Sequence, residues 1–583
     1  MGKTLFWYVF WNLLRVFGMA SAVIAGIMSF GGLLKPLMDN GLNLGQVVKM
    51  LGYAMPAMTT YSYPIAALFA CTVVYGRLAA DNEVTAVRAA GISMGPWGLG
   101  RPALVLGIIV SIASLGALSY VVPKASLGME RTVVSNLGQL VVNRITQQHQ
   151  IQLVQTGSQP LTIYARAAQL EPSDPNRPGE QVVTLDGVSI VTFEKTNPGE
   201  KKLAVPEEFY LAKTARAYIR QPDVGDEDEG APVQLLAQME SGLKFPRQVA
   251  GRQDAAMQGG MQTTQFGPFP LQSPLRENTK FMDIAKLQDL RFHPEKSRRM
   301  QASLQTLIEG DQQSAYLKAL VDNVTNGDGV IVMKSVSGDR YTLRPGKQPP
   351  KIDKNRLVFD STFTDGDVIK LIQTRGDNVP SQEWWAKQIR VRLFPDNETK
   401  QLVVSLEMQD AELHGEGIVS PRNSKEINFA IAMPEAVADI ANTTVKAYIA
   451  RSGLPAGDPL KLPVSSAQLL YRNLLKQNNS VESEMHSRIS FAISCLVLTL
   501  VGYALGVMFK SGNYLNAFAV SVVPAIVSIV LVVTGQHVCE NVPPNINPQT
   551  FKDPLYLGLS IVWAGNVAVT ILAVVLLNKL RRT

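Results

Sequence analysis

Two apolar blocks, residues 1–122 and 489–578, enclose a polar middle of roughly 360 residues. Runs of about 18 to 25 apolar residues are long enough to cross some 30 Å of hydrocarbon as helices. Six such runs occur, near residues 17–35, 50–76, 102–122, 489–509, 517–537 and 555–577. Pro56, Pro64 and Pro524 lie inside them, a placement membrane helices accept where neighbours satisfy the freed backbone groups. That length and number exclude the buried helices of a water-soluble core. The first run continues from an amphipathic stretch without a small-x-small cleavage site behind it, and reads as a retained helix.

The middle follows a different period. Short alternating runs separated by Pro, Gly, Asn and Asp predict half-buried strands at Leu161–Ala165, Val182–Phe193 and Phe209–Ile219. A second strand-rich block follows, with Gly329–Met333, Leu357–Phe363, Val368–Gln373, Ile389–Phe394 and Leu402–Glu407. The acidic run Asp223–Glu229 and the Gln/Met/Gly-rich stretch 250–268 show no period that buries a face, and read as loops. "EEFYLAKTARAYI" near 207 echoes "QEWWAKQIRVRLF" near 382, and "MDIAKLQDL" near 282 echoes "VSSAQLLYRNL" near 464. Duplication of a β block and chance repetition of short β patterns both remain open.

The expected fold is a membrane α-helical bundle of six spans, three plus three, with an inserted extracytoplasmic antiparallel β-jelly-roll region. Its expected segments are 1–122 (spans one to three, with a short helix at 80–91), 123–280 (first β block), 281–488 (a helical segment and second β block) and 489–583 (spans four to six).

Charge orients the spans. Lys3, Arg77, Arg88, Arg101, Lys510, Lys579, Arg581 and Arg582 fall on one side if both termini share it. Short loops rich in Lys and Arg stay in the cytoplasm, which puts the polar middle outside it, in contact with Lys35, Lys49 and Lys552 as the few basic residues of the outer ends. The formal charge of +7 comes with no Lys/Arg run interleaved with aromatics, so nucleic acid is not an expected partner. Cys71, Cys495 and Cys539 lie in or beside apolar runs, so the polar middle is no disulfide scaffold.

Enzymatic motifs fare poorly. "MGKT" lacks the upstream glycine, strand and loop of a phosphate-binding turn. Gly91-Ile92-Ser93-Met94-Gly95 spells a nucleophile-elbow string but follows a helix rather than a strand. His149, His293, His414, His486 and His537 have no metal-ligand spacing. No catalytic residue, metal or bound cofactor is expected on this chain.

The informative stretch is "YGRLAADNEVTAVRAAGIS", residues 75–93, between spans two and three. Asp81 is placed to cap a short helix, Glu83 falls in its first turn, Arg88 in its last, and Gly91 is placed to end it. Small Ala and Val side chains between one acid and one base suit docking into a partner's groove. A solvated connector is the plainer alternative.

Gly76-Arg77-Leu78, Glu83 and then Arg88-Ala-Ala-Gly-Ile-Ser between spans two and three resemble the lipopolysaccharide-export ABC permeases of the LptF/LptG (YjgP/YjgQ) type. The closing span "IVWAGNVAVTILAVVLL", with Trp563 and Asn566, and "MHSRISFAISCLV" at span four are similar to that family too. The polar middle is about 200 residues longer than the family's usual single jelly roll, and span one ends in one basic residue, Lys35, where the family often has several.

The resemblance implies that Glu83, Val84, Val87 and Arg88 form a coupling helix on a cytoplasmic ABC ATPase dimer, which holds the ATP and Mg²⁺. It further implies a second permease, identical or paralogous, a periplasmic jelly-roll bridge protein, and lipopolysaccharide as cargo in an inner membrane. Lys35 is expected to meet a lipid phosphate, with an ordinary snorkelling anchor as the alternative. Arg488 and His486, at the mouth of span four, are candidates for the same ring of charge. Two other classes stay open: a membrane-anchored envelope scaffold that transports nothing, and an enzyme acting on lipids or glycans.

Overall fold

The computed structural model describes residues 2–39, 44–153, 161–172, 180–193, 206–220, 233–240, 243–246, 258–259, 264–271, 278–326, 329–353, 356–364, 366–375, 379–395, 402–415, 418–420, 423–431, 444–451, 464–509, 514–543, 546 and 551–582. The chain divides into two compact units, Met1–Met300 with Arg472–Thr583, and Gln301–Tyr471. The described helices are α1 (Lys3–Asp39), α2 (Leu44–Ala80), α3 (Glu83–Ala89), α4 (Arg101–Gly116), α5 (Val122–Ser135), α6 (Leu137–Gln148), α7 (Ile284–Phe292), α8 (Arg298–Asn326), α9 (Val445–Arg451), α10 (Val464–Met508), α11 (Tyr514–Glu540) and α12 (Pro554–Arg582).

Among the described residues, six stretches are long and apolar enough to cross a membrane: Lys3–Gly31, Val47–Ala80, Arg101–Ser135, Ala467–Met508, Phe518–Glu540 and Pro554–Arg582. Each overlaps one of the six predicted runs, with the first and fourth starting earlier and the third ending later than predicted. Their outward faces carry Val23, Ile27, Ile112, Val523, Ile526, Val530 and Ile571, all at least half exposed. Such a surface suits lipid, which the same side chains match in polarity. Where helices meet, small residues let backbones approach. A Cβ on Gly502 of α10 would stand 2.6 Å from the Leu68 carbonyl oxygen of α2. Gly535 of α11 and Gly558 of α12 face each other, and a Cβ on either would fall within 2.7 Å of the other's carbonyl oxygen.

The third span does not stop at residue 122. A π-helical turn at Ala117–Val121 hands α4 on to α5, and after a turn at Asn136 the chain resumes as α6. Val134, Leu137, Val141 and Ile145 recur at helical spacing and pack into the core of the first sheet, a 3.6-residue period that the strand-rich region beyond it obscures.

The first sheet is antiparallel and comprises β1 (Gln150–Leu153), β2 (Leu161–Tyr164), β3 (Ala167–Leu170), β4 (Glu180–Phe193), β5 (Pro206–Arg220), β6 (Val233–Glu240), β7 (Leu243–Pro246), β8 (Gln258–Gly259) and β9 (Thr264–Leu271). Its main path is β1-β2-β4-β5-β6-β9. Val183, Leu185, Ile190, Ala215, Ala217 and Ile219 fill its buried face. Asp223–Glu229 lies outside the described residues. Within the stretch 250–268, residues 258–259 and 264–268 depart from the loop reading and the rest lie outside the described residues: β9 pairs with β6 and sets Phe269 opposite Leu235 and Phe266 opposite Ala237. A strand at the end of the path tolerates Pro268 and Pro270, since a missing N–H there leaves no inner ladder broken.

The second unit holds β10 (Ile331–Lys334), β11 (Arg340–Arg344), β12 (Lys351–Asp353), β13 (Arg356–Asp360), β14 (Ile369–Arg375), β15 (Val379–Ala386), β16 (Gln388–Pro395), β17 (Leu402–Gly415), β18 (Ile418–Val419) and β19 (Asn423–Ala430). Their order, β10-β11-β14-β15-β17-β16-β13-β12, curls antiparallel around Leu357, Phe359, Ile389, Val391, Val404 and Leu406. An isolated antiparallel bridge between Ser335 and Ile431 brings the residue after β10 against the residue after β19. Tyr316, Leu317 and Leu320 of α8 pack onto the same core. Residues 207–219 form a single strand, whereas 382–394 break at Lys387 into β15 and β16, so the echo between the two segments has no common strand layout.

The connection before β14 is stitched by Asp367. Its carboxylate accepts from Lys347 N at 2.7 Å, from Thr362 N at 2.9 Å and from Thr362 Oγ1 at 2.7 Å. Hydrogen bonds from Thr362, side chain then backbone, and from Lys347 N–H hold its pKa down to about 2. An unfolded aspartate titrates near about 4, so the ionised form stabilises the fold fully above that pH and the gain is lost as pH falls through the folded value. Asp367→Asn is therefore expected to lower stability at neutral pH and to flatten the loss of stability between about pH 4 and pH 2. Tryptophan fluorescence during denaturant titration at each pH measures both effects.

Candidate functional site

α3 is built from local rules. Its N-cap is Asn82 in the left-handed region at φ 59, a conformation asparagine tolerates better than most residues, and no side chain caps the helix. Asp81 instead lies 3.7 Å from Arg77 as an exposed pair, so its expected capping role is not the one it takes. Gly91, at φ +77, closes the helix as expected. Its N–H donates to the Arg88 carbonyl at 2.9 Å and Ile92 N–H to the Val87 carbonyl at 3.2 Å, the paired bonds of a left-handed C-terminal cap.

Burial divides the four residues expected to dock. Val84 is 3% exposed, packed with Val9, Leu78, Leu99 and Leu580, and Val87 packs against the same cluster. The apolar side of α3 thus faces its own bundle, and Val84 is corrected from a partner contact to a core residue: only inward packing spares these side chains from water. Thr85, Ala86 and Ala89 are exposed, and Glu83 and Arg88 are half-buried at either end. The cluster beneath also contains Phe10 and Leu13 of α1, Val74 and Tyr75 of α2, Ala103 and Leu106 of α4, and Tyr503 and Val507 of α10. Five spanning helices therefore converge under one short surface helix.

The loop that follows α3 is held as a rigid platform. Tyr75 Oη donates to the Leu99 carbonyl at 3.0 Å and Tyr503 Oη to the Met94 carbonyl at 2.7 Å, with the two rings edge to face at 4.6 Å. Leu99 N–H donates to the Ser93 carbonyl at 2.9 Å. Gly98 is required there, because a Cβ would stand 1.8 Å from the Ser93 carbonyl oxygen. On this platform Trp97 is 81% exposed. Sequence reasoning passed over it. The available signal was a large aromatic set among turn formers, "GPWGLG".

At the opposite end of the bundle, the two expected phosphate contacts on α10 separate. Lys35 lies in α1, and its side chain falls outside the described residues. Arg488 and His486 are two residues apart on α10, about 200° around the helix, and so point different ways. His486 Nδ1 accepts from Trp563 Nε1 of α12 at 3.3 Å. Arg488 is 2% exposed and ion-paired to Glu484 at 2.8 Å, so it is a buried tie and not a ligand-facing cation. Asn566 of α12 donates to the Ser490 carbonyl at 2.6 Å and to Ser490 Oγ at 2.8 Å, closing α12 onto α10. Among the described residues, no group of three or more His, Cys, Asp or Glu is placed to hold a metal.

The family model for the lipopolysaccharide export system permease LptF/LptG matches residues 7–152 and 378–579, which together are more than half of the chain. The chain belongs to the LptF/LptG family. No curated protein matches it. An LptF/LptG permease is a multi-pass inner-membrane transport subunit for lipopolysaccharide that works with other components of the export system. Both of the regions described above fall inside the matched segments. Residues 153–377, which carry β2–β14, α7 and α8, lie between them.

Gly98→Ala is expected to break the platform while leaving the spans intact. Hydrogen–deuterium exchange should rise in peptides covering 92–100 and stay unchanged in α10 below Tyr503.

Proposed function

We propose that this chain is one of two permeases in an ATP-driven exporter, with both termini in the cytoplasm and the β-rich region in the periplasm. The two permeases, identical or paralogous, enclose the lipid between their bundles. A separate ABC ATPase dimer, which carries ATP and Mg²⁺, docks beneath. The distribution of Lys and Arg over the short loops supports the orientation, and family membership supports the cargo.

The observation that carries this reading is the convergence of α1, α2, α4, α10 and α12 under α3 and the Trp97 platform. A force applied to that patch reaches five spans at once. The docking surface in this reading is Glu83, Arg88, the exposed Thr85–Ala86 side of α3 and Trp97, with Val84 and Val87 transmitting the load inward. Trp and Arg are the residue types that most often dominate such interfaces when a rigid scaffold presents them. ATP binding would draw two such patches together and narrow the cavity between bundles. The lipid's acyl chains would then leave toward the apolar inner faces of the β region, and Lys35 would meet a phosphate at the outer mouth. The work comes from the ATPase, and this chain converts it into different affinities for lipid in two states.

Affinity purification of the membrane complex tests the reading. Glu83→Lys is expected to reduce the co-purifying ATPase at least about tenfold, equivalent to about 1.4 kcal/mol. Trp97→Ala should weaken docking by about 2 kcal/mol. An ATPase retained at full occupancy by both variants would contradict the docking surface. Full docking in Trp97→Ala alone would place that ring among lipid headgroups instead.

A further inference from the structure

A second polar constellation sits at the other end of the bundle, away from α3. Glu484 and Arg488 lie one turn apart on α10, 6% and 2% exposed. Glu484 Oε1 accepts from Arg488 Nε at 2.8 Å, and Glu484 Oε2 accepts from Gln536 Nε2 of α11 at 2.9 Å. Arg488 Nη2 reaches three backbone carbonyls, those of Thr279 at 3.1 Å, Lys280 at 3.3 Å and Met282 at 2.8 Å. The Glu484–Arg488 pair thus joins α10, and through Gln536 α11, to the segment that follows β9.

That segment, Asn278–Phe292, is a strap clamped along the middle of α10. Asn278 caps its opening 3-10 turn and Asp283 caps α7. The Thr279 and Ser480 hydroxyls lie 3.0 Å apart. Met282, Leu287 and Leu290 pack on Val481 and Met485, and Arg291 Nε donates to Glu482 Oε1 at 2.5 Å. Phe281 packs with Leu118, Val122 and Phe491. The strap lies in sequence between the first sheet and α8, so movement of the strap is movement of a lead into both β regions.

Removing two charges from water costs several kcal/mol, and one ion pair seldom repays it in stability. A buried pair with a backbone-directed fan of donors suits a different task, which is to fix one geometry. We infer that Glu484 and Arg488 are positioning residues for transport: they lock the strap to α10 so that the two travel as one body when the bundle changes state. The inference rests on the ATP-driven reading above and deepens it, by naming the joint through which motion leaves the membrane. Lysine cannot replace the joint, because a single ammonium on a flexible stem cannot hold Glu484 and three carbonyls in fixed directions.

The test uses the full chain in its complex with the ATPase, in nanodiscs, with spin labels on cysteines introduced at Phe292 and Ile489, both exposed. The native Cys71, Cys495 and Cys539 are buried. The labelled complex should give one narrow distance in every nucleotide state. Arg488→Lys should broaden it, cut lipopolysaccharide released per ATP about tenfold, and leave ATP hydrolysis within about twofold. Thr279→Val, which removes one neighbouring bond and buries no charge, should broaden the distance less and serves if Arg488→Lys does not fold. A native distance that shifts with nucleotide, or variants with unchanged width and release, would overturn the joint. An unaltered complex that hydrolyses ATP yet releases no lipid would defeat the transport reading alone, since the distance is read without lipid.

Discussion

Within hydrocarbon, lipid tails compete on equal terms with any apolar side chain, so greasiness does not hold one helix against another. This bundle depends on close backbone approach at a few glycines and on a small number of buried polar ties. Gly502 against Leu68 and Gly535 against Gly558 supply the first. Asn566 on Ser490, Glu484 on Gln536 and Arg488 on the strap supply the second. Most of these involve α10, which therefore acts as the spine: its last turns meet α2 and the Trp97 platform, and its earlier turns hold α11, α12 and the strap.

The same logic separates what could be read in the sequence from what could not. The six spans were legible because an 18-residue apolar run has few alternative uses, and the strands because a period of two survives even in short segments. Gly91 was legible because a helix end has local chemistry. Val84 was not: a valine on a seven-residue helix looks the same whether it faces a partner or its own bundle, and the neighbours that bury it, Val9 and Leu580, lie at opposite ends of the chain. Arg488 looked like a ligand for lack of any sequence sign of Glu484's companion Gln536 or of the carbonyls near Met282. Trp97 was missed because the loop that presents it is anchored in part by Tyr503, far away in sequence.

The two β regions answer to different rules. The first sheet follows chain order along most of its path, which lets its strands pair soon after synthesis. The second doubles back, and the family match resumes inside it at residue 378. Its cost is loop closure over longer separations, offset by a core in which Leu357, Phe359, Ile389, Val391, Val404 and Leu406 are all fully excluded from water.

Strand β17 gives that second sheet a particular character. Its first half, Leu402–Gln409, is paired with β16, while Glu412–His414 are paired with β15. Fraying of either flank is therefore resisted by the other through a continuous backbone, and the sheet should open as one cooperative block. A domain that melts only as a whole can be pulled on without shedding strands, a useful property for any element that bears a repeated mechanical load.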